Sequence, residues 1–473
     1  MWDDYYIVSN IDEAIEILDK LPQQSKIIAG GTDLLLELKK NMHPDIRTII
    51  DITRVKGQDK IWEEGEYIHI GPLVTHNQCL VSQPLIRYAL PLVKAAQSIG
   101  AAQIRNVGTI YGNLITASPA NDTISPLVAL DAELLIRSRT AQKWVKITEF
   151  YKTVRQTILR RNEIVTDLRF KKLSGKYKGV FEKYLLRQTH GISVANATII
   201  LSVEKNKITA AKITLGAVAP IIVRAKQAED FLIGKILSED VIADVSAIAI
   251  ESATPITDVR ASEVYRNHLI PILVKKGLTQ ILEGKWNEYD RAPVLLWGKR
   301  PQGDSWAEKS MKIDRSSKIF TNINGKDYEL NGSQDQTLIK LVRDVAGMTG
   351  TKLGCGEGEC GSCTLLLNHL PVLSCLIPAP RAYGSKIMTI EGVGEHGGLH
   401  PIQQAFIDEG AVQCGYCTPG FIMSAIKLLE EKPFPTRTEI MEGLAGNICR
   451  CTGYNSIISA VETAASRMRS SSE

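Results

Sequence analysis

Eight of the nine cysteines in this 473-residue chain fall into two tight groups near its C-terminus. The first is Cys355, Cys360, Cys363 and Cys375; the second is Cys414, Cys417, Cys449 and Cys451. Four thiolates complete one [2Fe–2S] centre, so the groups supply two clusters and leave only Cys79 over. The first spacing, C-x4-C-x2-C with a distant fourth cysteine, is the plant-type pattern: three sulfurs line one loop and the fourth arrives from the next element. That chemistry is one-electron transfer.

Each group has alternative readings. Tetrahedral zinc favours paired knuckles, whereas here three cysteines crowd the glycine-rich loop Gly354-Cys355-Gly356-Glu357-Gly358-Glu359-Cys360-Gly361-Ser362-Cys363. Glycines let the backbone wrap a cluster and aim N–H groups at its sulfurs. The Cys414-Gly415-Tyr416-Cys417 segment alone reads equally as a redox disulfide or half a zinc site. The close pair Cys449-Arg450-Cys451 tips it towards iron–sulfur. Gly356-x-Gly358-x-x-Gly361 matches a dinucleotide fingerprint, but it straddles a cluster ligand and lacks the strand–turn–helix context. Cys79, in an apolar stretch, reads as an inert core residue.

Two further segments suit a pyrophosphate. Ala29-Gly30-Gly31-Thr32-Asp33-Leu34-Leu35 directly follows the strand-like Lys26-Ile27-Ile28-Ala29, and its small residues expose successive backbone N–H groups. Gly108-Thr109-Ile110-Tyr111-Gly112-Asn113 is similarly lean, with Thr116, Asn121 and Asp122 just downstream. Either loop alone is equally a plain glycine turn.

The elements that must position these groups are readable in outline. Asp12 to Leu21 has the spacing of an amphipathic helix. A second α/β block runs from about Lys176 to Leu282, with strand-like Ala195–Leu201 and Ile213–Val218. From 285 to 317 the composition shifts to Pro, Gly, Ser and mixed charge, which marks a linker. It holds Trp286, Trp297 and Trp306, too aromatic for a disordered tether, so it is expected to dock. Ile319–Ile323, the Asn324-Gly325 turn and Tyr328–Leu330 read as a hairpin. Leu338, Leu341, Val342 and Val345 follow at helical spacing, which gives β-grasp order. Beyond Glu391 the pattern is helical, with Thr418 capping a helix that has Pro419 at its first position, and a Thr436/Glu439 capping box. The Ser-rich end from Arg469 reads as disordered.

Composition bounds the rest. Charged residues are 23%, hydrophobic residues 44%, and the net charge is +4, so nothing points to nucleic acid. No secretory signal or membrane-length apolar run is readable, and free thiols at metal spacing fit a reducing compartment; a cytoplasmic address is expected.

The chain resembles the flavin and iron–sulfur parts of the molybdenum hydroxylases, the xanthine dehydrogenase and aldehyde oxidase family, fused in that order. The resemblance rests on the cysteine segments Cys355–Thr364, Gln413–Phe421 and Asn447–Tyr454. In the flavin half it rests on Ala29–Leu35, Ile104–Gly108, Gly112–Pro119 and Leu215–Pro220. It implies an α+β multidomain chain: a PCMH/VAO-type FAD-binding domain at 1–175, a CO-dehydrogenase-flavoprotein-like C-terminal subdomain at 176–284, a linker at 285–317, a β-grasp ferredoxin domain at 318–390, and a four-helix-bundle [2Fe–2S] domain at 391–468.

It also implies roles. Lys26, Ile27, Ile28, Ala29, Gly30, Gly31, Thr32, Asp33 and Leu34 would wrap the FAD pyrophosphate. Gly108, Thr109, Tyr111, Gly112, Asn113, Thr116 and Asp122 would line the remainder, with Ile164 and Lys183 as further contacts. Glu357 and Gly358 would approach the flavin, and Gln413 a pterin. Nothing in the chain resembles a molybdopterin domain, so a separate molybdenum subunit is implied, in a heteromer such as a dimer of heterodimers, with no membrane or nucleic-acid partner. Electrons would run from molybdenum through the second cluster, the first cluster and FAD to NAD+. No acid–base residue is assigned to this chain. A purine such as xanthine is the expected substrate, with nicotinate, an aldehyde or carbon monoxide as alternatives.

One residue departs from the family pattern. Tyr111 stands where a glycine is usual: its ring either meets the isoalloxazine or turns into the core. The first outcome would keep alive a flavin-poor, ferredoxin-like carrier. A zinc scaffold is the third reading.

Overall fold

A computed structural model describes residues 1–173, 175–299, 310–394 and 398–470. Trp306 and the last three residues of the Ser-rich end lie outside them. Two compact units emerge: one of Met1–Lys56, Gly100–Gly108 and Val294–Glu473, the other of Gly57–Ile99 and Thr109–Pro293. The segment expected as one domain, 1–175, is therefore divided between the units.

In the first unit, isoleucine-rich strands Asp4–Ile7, Thr48–Asp51 and Ser25–Ile28 pair in parallel, in that order. β-Branched residues suit this pleated, buried setting. The helix Ile11–Lys20 buries Ile11, Ala14, Ile15 and Leu18 at helical spacing and is capped by Asn10. The fourth strand comes from the presumed linker: Met311–Ile313 pairs antiparallel with Asp4–Ile7, and Ile313 joins the core of Trp2, Tyr5, Ile28 and Ile49.

The β-grasp sheet has the order Lys326–Leu330, Ile319–Ile323, Lys386–Met388, Thr364–Leu367, Leu370–Leu373, with a parallel pair at its centre. Asn324 and Gly325 both take positive φ (53° and 82°), as the two-residue hairpin turn demands. The expected helix begins at Leu338–Lys340 but widens to a π-turn over Leu341–Val345.

Four helices follow, Pro401–Asp408, Thr418–Glu431, Arg437–Leu444 and Asn455–Ser470. The Thr436/Glu439 capping box forms. The cap of the second helix, however, is Cys417, with Thr418 already inside it. Arg469 and Ser470 end the last helix instead of opening a disordered tail. Val294 and Leu296 of the linker are buried in this helical core. The Leu295 and Trp297 N–H groups donate to the Glu431 carboxylate (2.9 and 2.6 Å), and Trp297 Nε1 donates to Asn106 (2.9 Å). The linker docks, as its tryptophans imply.

Among the described residues the second unit holds two larger antiparallel sheets and a two-stranded one, Tyr151–Thr153 with Gln156–Thr157. Of the larger two, one runs Ile61–Glu64, Tyr67–Ile70, Ile164–Lys171, Glu133–Arg137, Gln142–Lys146; the other runs Tyr177–Tyr184, Ala195–Glu204, Lys207–Gly216, Val223–Arg224. The helix Glu263–Leu282 packs its apolar stripe, including Leu269, Val274 and Leu278, on the latter, and Trp286 joins that core. Cys79 is fully buried in this unit, and burial pushes its thiol far up, as an inert core residue requires.

Candidate functional site

The first cysteine group is built on a loop that aims donors inward. The N–H groups of Glu357 and Glu359 (both 3.3 Å) and of Cys360 (3.4 Å) donate to Cys355 Sγ, and the Cys355 N–H donates to Cys360 Sγ (3.3 Å). The Cys360 thiol, hydrogen-bonded to Cys355, holds Cys355 down to about 4, and the same contact pushes Cys360 up. Cys363 and Cys375, both buried, form the second such pair: their hydrogen bond pushes Cys363 up and Cys375 down.

The second group repeats the arrangement. Burial, then its hydrogen bond to Cys449, pushes Cys417 up to about 12. Burial works against a Cys449 thiolate, but the Thr452 hydroxyl (3.2 Å) and the N–H groups of Cys451 and Thr452 (both 3.4 Å) outweigh it. Cys451 pairs with Cys414, and both are exposed. Each group is thus two pairs of thiols, which is what a two-iron rhomb with two thiolates per iron requires. Among the described residues no three His, Cys, Asp or Glu side chains converge on a single ion.

The two ligand loops touch through backbone. The Ile448 N–H donates to the Cys360 carbonyl (2.9 Å), one residue before Cys449. Asn447 Nδ2 donates to the Gly361 carbonyl (3.1 Å), and Gln103 Nε2 bonds both Asn447 Oδ1 (3.1 Å) and Ser424 Oγ (3.0 Å). Gly361 has φ +70°, and a Cβ there would lie 2.2 Å from the Gly446 carbonyl oxygen. The approach depends on glycine.

The flavin-side loop joins the strand Ser25–Ile28 to the helix Leu34–Lys39 in the same unit. A Cβ on Gly30 would sit 2.3 Å from the Val107 carbonyl oxygen, so only glycine lets the loop lie against 107–108. The N–H groups of Gly31 and Thr32 meet no acceptor among the described residues, as a loop built to hold a pyrophosphate would leave them. Those residues fit FAD. Of the others named in this stretch, Ile28 points into the core and Lys26 Nζ meets His43 (3.0 Å), so neither side chain is aimed at a ligand. Beneath the loop, the Arg381 guanidinium donates to the Ala29 carbonyl and to Asp51 Oδ2 (2.9 Å), which also accepts from Tyr5 (2.5 Å). Lys39 Nζ donates to the carbonyls of Gly356 (2.8 Å) and Cys375 (2.9 Å), and Lys40 pairs with Glu357 (3.3 Å). Sequence reasoning missed Arg381 and Lys39: each acts more than 300 residues away, and neither belongs to a local pattern.

In the second unit, Thr109 caps the short helix Ile110–Ile115 by accepting the Gly112 N–H (2.9 Å), which leaves its own hydroxyl proton to give. Thr116 Oγ1 donates to the Gly112 carbonyl (2.7 Å), and Asn113 Oδ1 accepts from Thr123 (2.6 Å). Four expected contacts are engaged otherwise. Asp122 and Lys183 form a buried ion pair (2.6 Å), with Ser193 on the other carboxylate oxygen. Ile164 is a buried strand residue. Tyr111 turns into the core, 3% exposed, its hydroxyl donating to the Ile70 carbonyl (2.7 Å). Of the two readings of Tyr111, the buried one holds. Tyr111→Phe should then cost about 1 kcal/mol, one buried hydrogen bond, and leave the flavin absorption unchanged. A shifted flavin band would put the ring against the isoalloxazine.

Family models match along the chain: a FAD-binding domain in molybdopterin dehydrogenase over 2–170, a CO dehydrogenase flavoprotein C-terminal domain over 181–281, a 2Fe-2S iron-sulfur cluster binding domain over 321–380, and a [2Fe-2S] binding domain over 389–462. The nicotinate dehydrogenase small FeS subunit of Eubacterium barkeri is 47% identical over 149 residues, 32% of this chain and 95% of that one. The nicotine 6-hydroxylase small subunit of Paenarthrobacter nicotinovorans is 45% identical, over 30% of this chain and 86% of that one. Among solved structures, a carbon monoxide dehydrogenase from Hydrogenophaga pseudoflava covers 59% of this chain and 96% of its own, with TM-score 0.57 and 26% identity.

Proposed function

Because the chain belongs to the molybdenum hydroxylase family, as a fused FAD-binding and [2Fe–2S] electron-transfer subunit, we propose that it carries electrons from a molybdenum centre on a separate subunit to NAD+. The order is the Cys414/Cys417/Cys449/Cys451 group, then the Cys355/Cys360/Cys363/Cys375 group, then FAD. The observation that carries the reading is the Ile448 N–H bond to the Cys360 carbonyl. It joins a ligand residue of one group to the neighbour of a ligand in the other. In the second group Cys414 and Cys451, with the neighbouring Gln413, are exposed and Cys449 is buried; in the first, Cys355 is exposed and Cys363 and Cys375 are buried, so the second group offers the wider open face to a partner.

FAD exchanges electrons singly or in pairs, so it matches one-electron clusters to a hydride acceptor. The loop Ala29–Leu34 would hold its pyrophosphate in the first unit, and Thr109, Gly112, Asn113 and Thr116 are the second unit's residues that the family resemblance assigns to the remainder. The N–H groups of Gly31 and Thr32 would meet the pyrophosphate, the Thr109 hydroxyl has its proton left to give, and these residues would move no proton themselves. With Tyr111 in the core, the flavin-poor carrier loses its sequence argument.

Substrate choice lies in the molybdenum subunit. The names of the relatives, nicotinate dehydrogenase and nicotine 6-hydroxylase, favour an N-heteroaromatic ring. A purine such as xanthine belongs to that class, and nicotinate is its equal. The test is an anaerobic titration of the complex purified from its host, followed by visible absorption. NADH should bleach flavin and cluster bands together, and xanthine or nicotinate should do so from the other end. Bleaching by dithionite but not NADH sinks the NAD+ assignment and points to another acceptor. Bleaching by neither heterocycle sinks the substrate class.

A further inference from the structure

The helix launched by the flavin-side glycine loop ends on Lys39, whose ammonium lies against the first cysteine loop. Its Nζ donates to the Gly356 carbonyl at 2.8 Å, one residue from Cys355, and to the Cys375 carbonyl at 2.9 Å. Both acceptors are neutral, so the contacts orient the charge without cancelling it. The nearby carboxylate Glu357 is taken by Lys40 (3.3 Å), and among the described residues none pairs with Lys39. A full positive charge is therefore pinned beside two residues that hold opposite sides of one cluster.

We propose that Lys39 is a positioning residue that sets the potential of the first cluster, from the flavin side, by stabilising its reduced form. This rests on the reading that Cys355, Cys360, Cys363 and Cys375 hold a [2Fe–2S] centre that passes electrons to FAD. The step is a one-electron reduction: the electron would enter from the second cluster, no bond forms or breaks, and the added negative charge would be attracted to the Lys39 ammonium beside the ligand residues. At the effective dielectric of a protein surface, one charge held a residue's width away biases that equilibrium by about tenfold, which is about 59 mV for one electron. The helix couples two tasks: it follows the loop that fits the pyrophosphate, and its last residue tunes the centre that feeds it.

The test is an EPR-monitored redox titration of the complete chain, comparing wild type with Lys39→Met, Lys39→Arg and Lys39→Glu. Lys39 is exposed and its acceptors are carbonyls that water can serve, so these variants should fold, and their visible spectra report cluster loading. One of the two midpoint potentials should fall by about tenfold-equivalent in Lys39→Met and further in Lys39→Glu. It should hold in Lys39→Arg, while the other cluster stays put. Equal potentials throughout overturn the proposal. So does a parallel shift of both clusters, or an arginine variant that behaves like methionine, since those results belong to packing and not to charge. If the wild type gives no [2Fe–2S] signals, it is the cluster reading that fails.

Discussion

An Arg381→Met chain should unfold about 3–5 kcal/mol more easily than the wild type, the usual penalty for stranding one partner of a buried ion pair. Asp51 is 1% exposed and Arg381 is 7% exposed. Burial works against a charged Asp51, but the Arg381 guanidinium outweighs it and holds the carboxyl below the usual range. Without Arg381 that charge keeps only Tyr5, Thr53 and the more distant Arg54. Urea unfolding measures the loss. An Asp51→Leu/Arg381→Met double variant should recover much of it, because apolar replacements of both partners are often neutral.

The pH dependence has a definite sign. A carboxyl depressed in the fold stabilises above its unfolded value, about 3.9, and the contribution is lost as pH falls through the lower folded value. Wild type should hold this contribution at neutral pH, and the acid midpoint of Arg381→Met should rise. Because Arg381 also bonds the Ala29 carbonyl beneath Gly30, the variant should shed FAD on gel filtration even where it is still folded. A variant with wild-type stability and full flavin would show that the buried pair does no positioning.

Gly361→Ala should be strongly damaging, since it combines a positive φ with a backbone clash. At φ +70° a side chain costs about 1–2 kcal/mol, and overpacking adds about 1–3 kcal/mol. The added Cβ would meet the Gly446 carbonyl oxygen at 2.2 Å and Asn447 Nδ2 at 2.5 Å. The first obstacle is backbone, so no rotamer change relieves it. Gly384→Ala is the control: its φ is +66°, but nothing lies within 4 Å of the added carbon, so only the conformational cost remains. Thermal melts and iron content of the two variants separate the terms. If both lose the same stability and keep the same iron, the contact between the two ligand loops has no energetic weight.

What was legible in the sequence follows from how local each signal is. Five of the eight cluster ligands sit in two short runs, Cys355/Cys360/Cys363 and Cys414/Cys417, so their spacing was readable, while Cys375 and the Cys449/Cys451 pair had to be joined to them from further along the chain. The Asn324-Gly325 hairpin and the Thr436/Glu439 box depend on a handful of neighbours. The glycine loop at 30–31 was legible because a tight turn after a strand has few sequence solutions. Asp51 with Arg381 was not, since 330 residues separate them and an isolated Asp or Arg carries no pattern. Lys39 looked like one more surface lysine on a short helix. For Asp122 and Lys183, the family resemblance suggested flavin contacts, whereas the two residues neutralise each other. The cap of the helix at 418 moved by one residue because Thr418 has the right chemistry while Cys417 has the right position. The linker was readable by composition but not by destination: two of its side chains fill the helical core, and three of its residues complete a sheet that begins at Asp4.

That last strand has a consequence for biosynthesis. Asp4–Ile7 is translated some 300 residues before Met311–Ile313, which covers its open side. At about 5–20 residues per second, the nascent sheet waits tens of seconds with a bare hydrogen-bonding margin. Such margins recruit stray strands from other chains. The whole second unit is synthesised in that interval, so the N-terminal segment is held unfinished until the linker appears. Fusion of the flavin and iron–sulfur parts in one polypeptide thereby makes completion of the flavin-side sheet conditional on translation of the linker that leads into the iron–sulfur part.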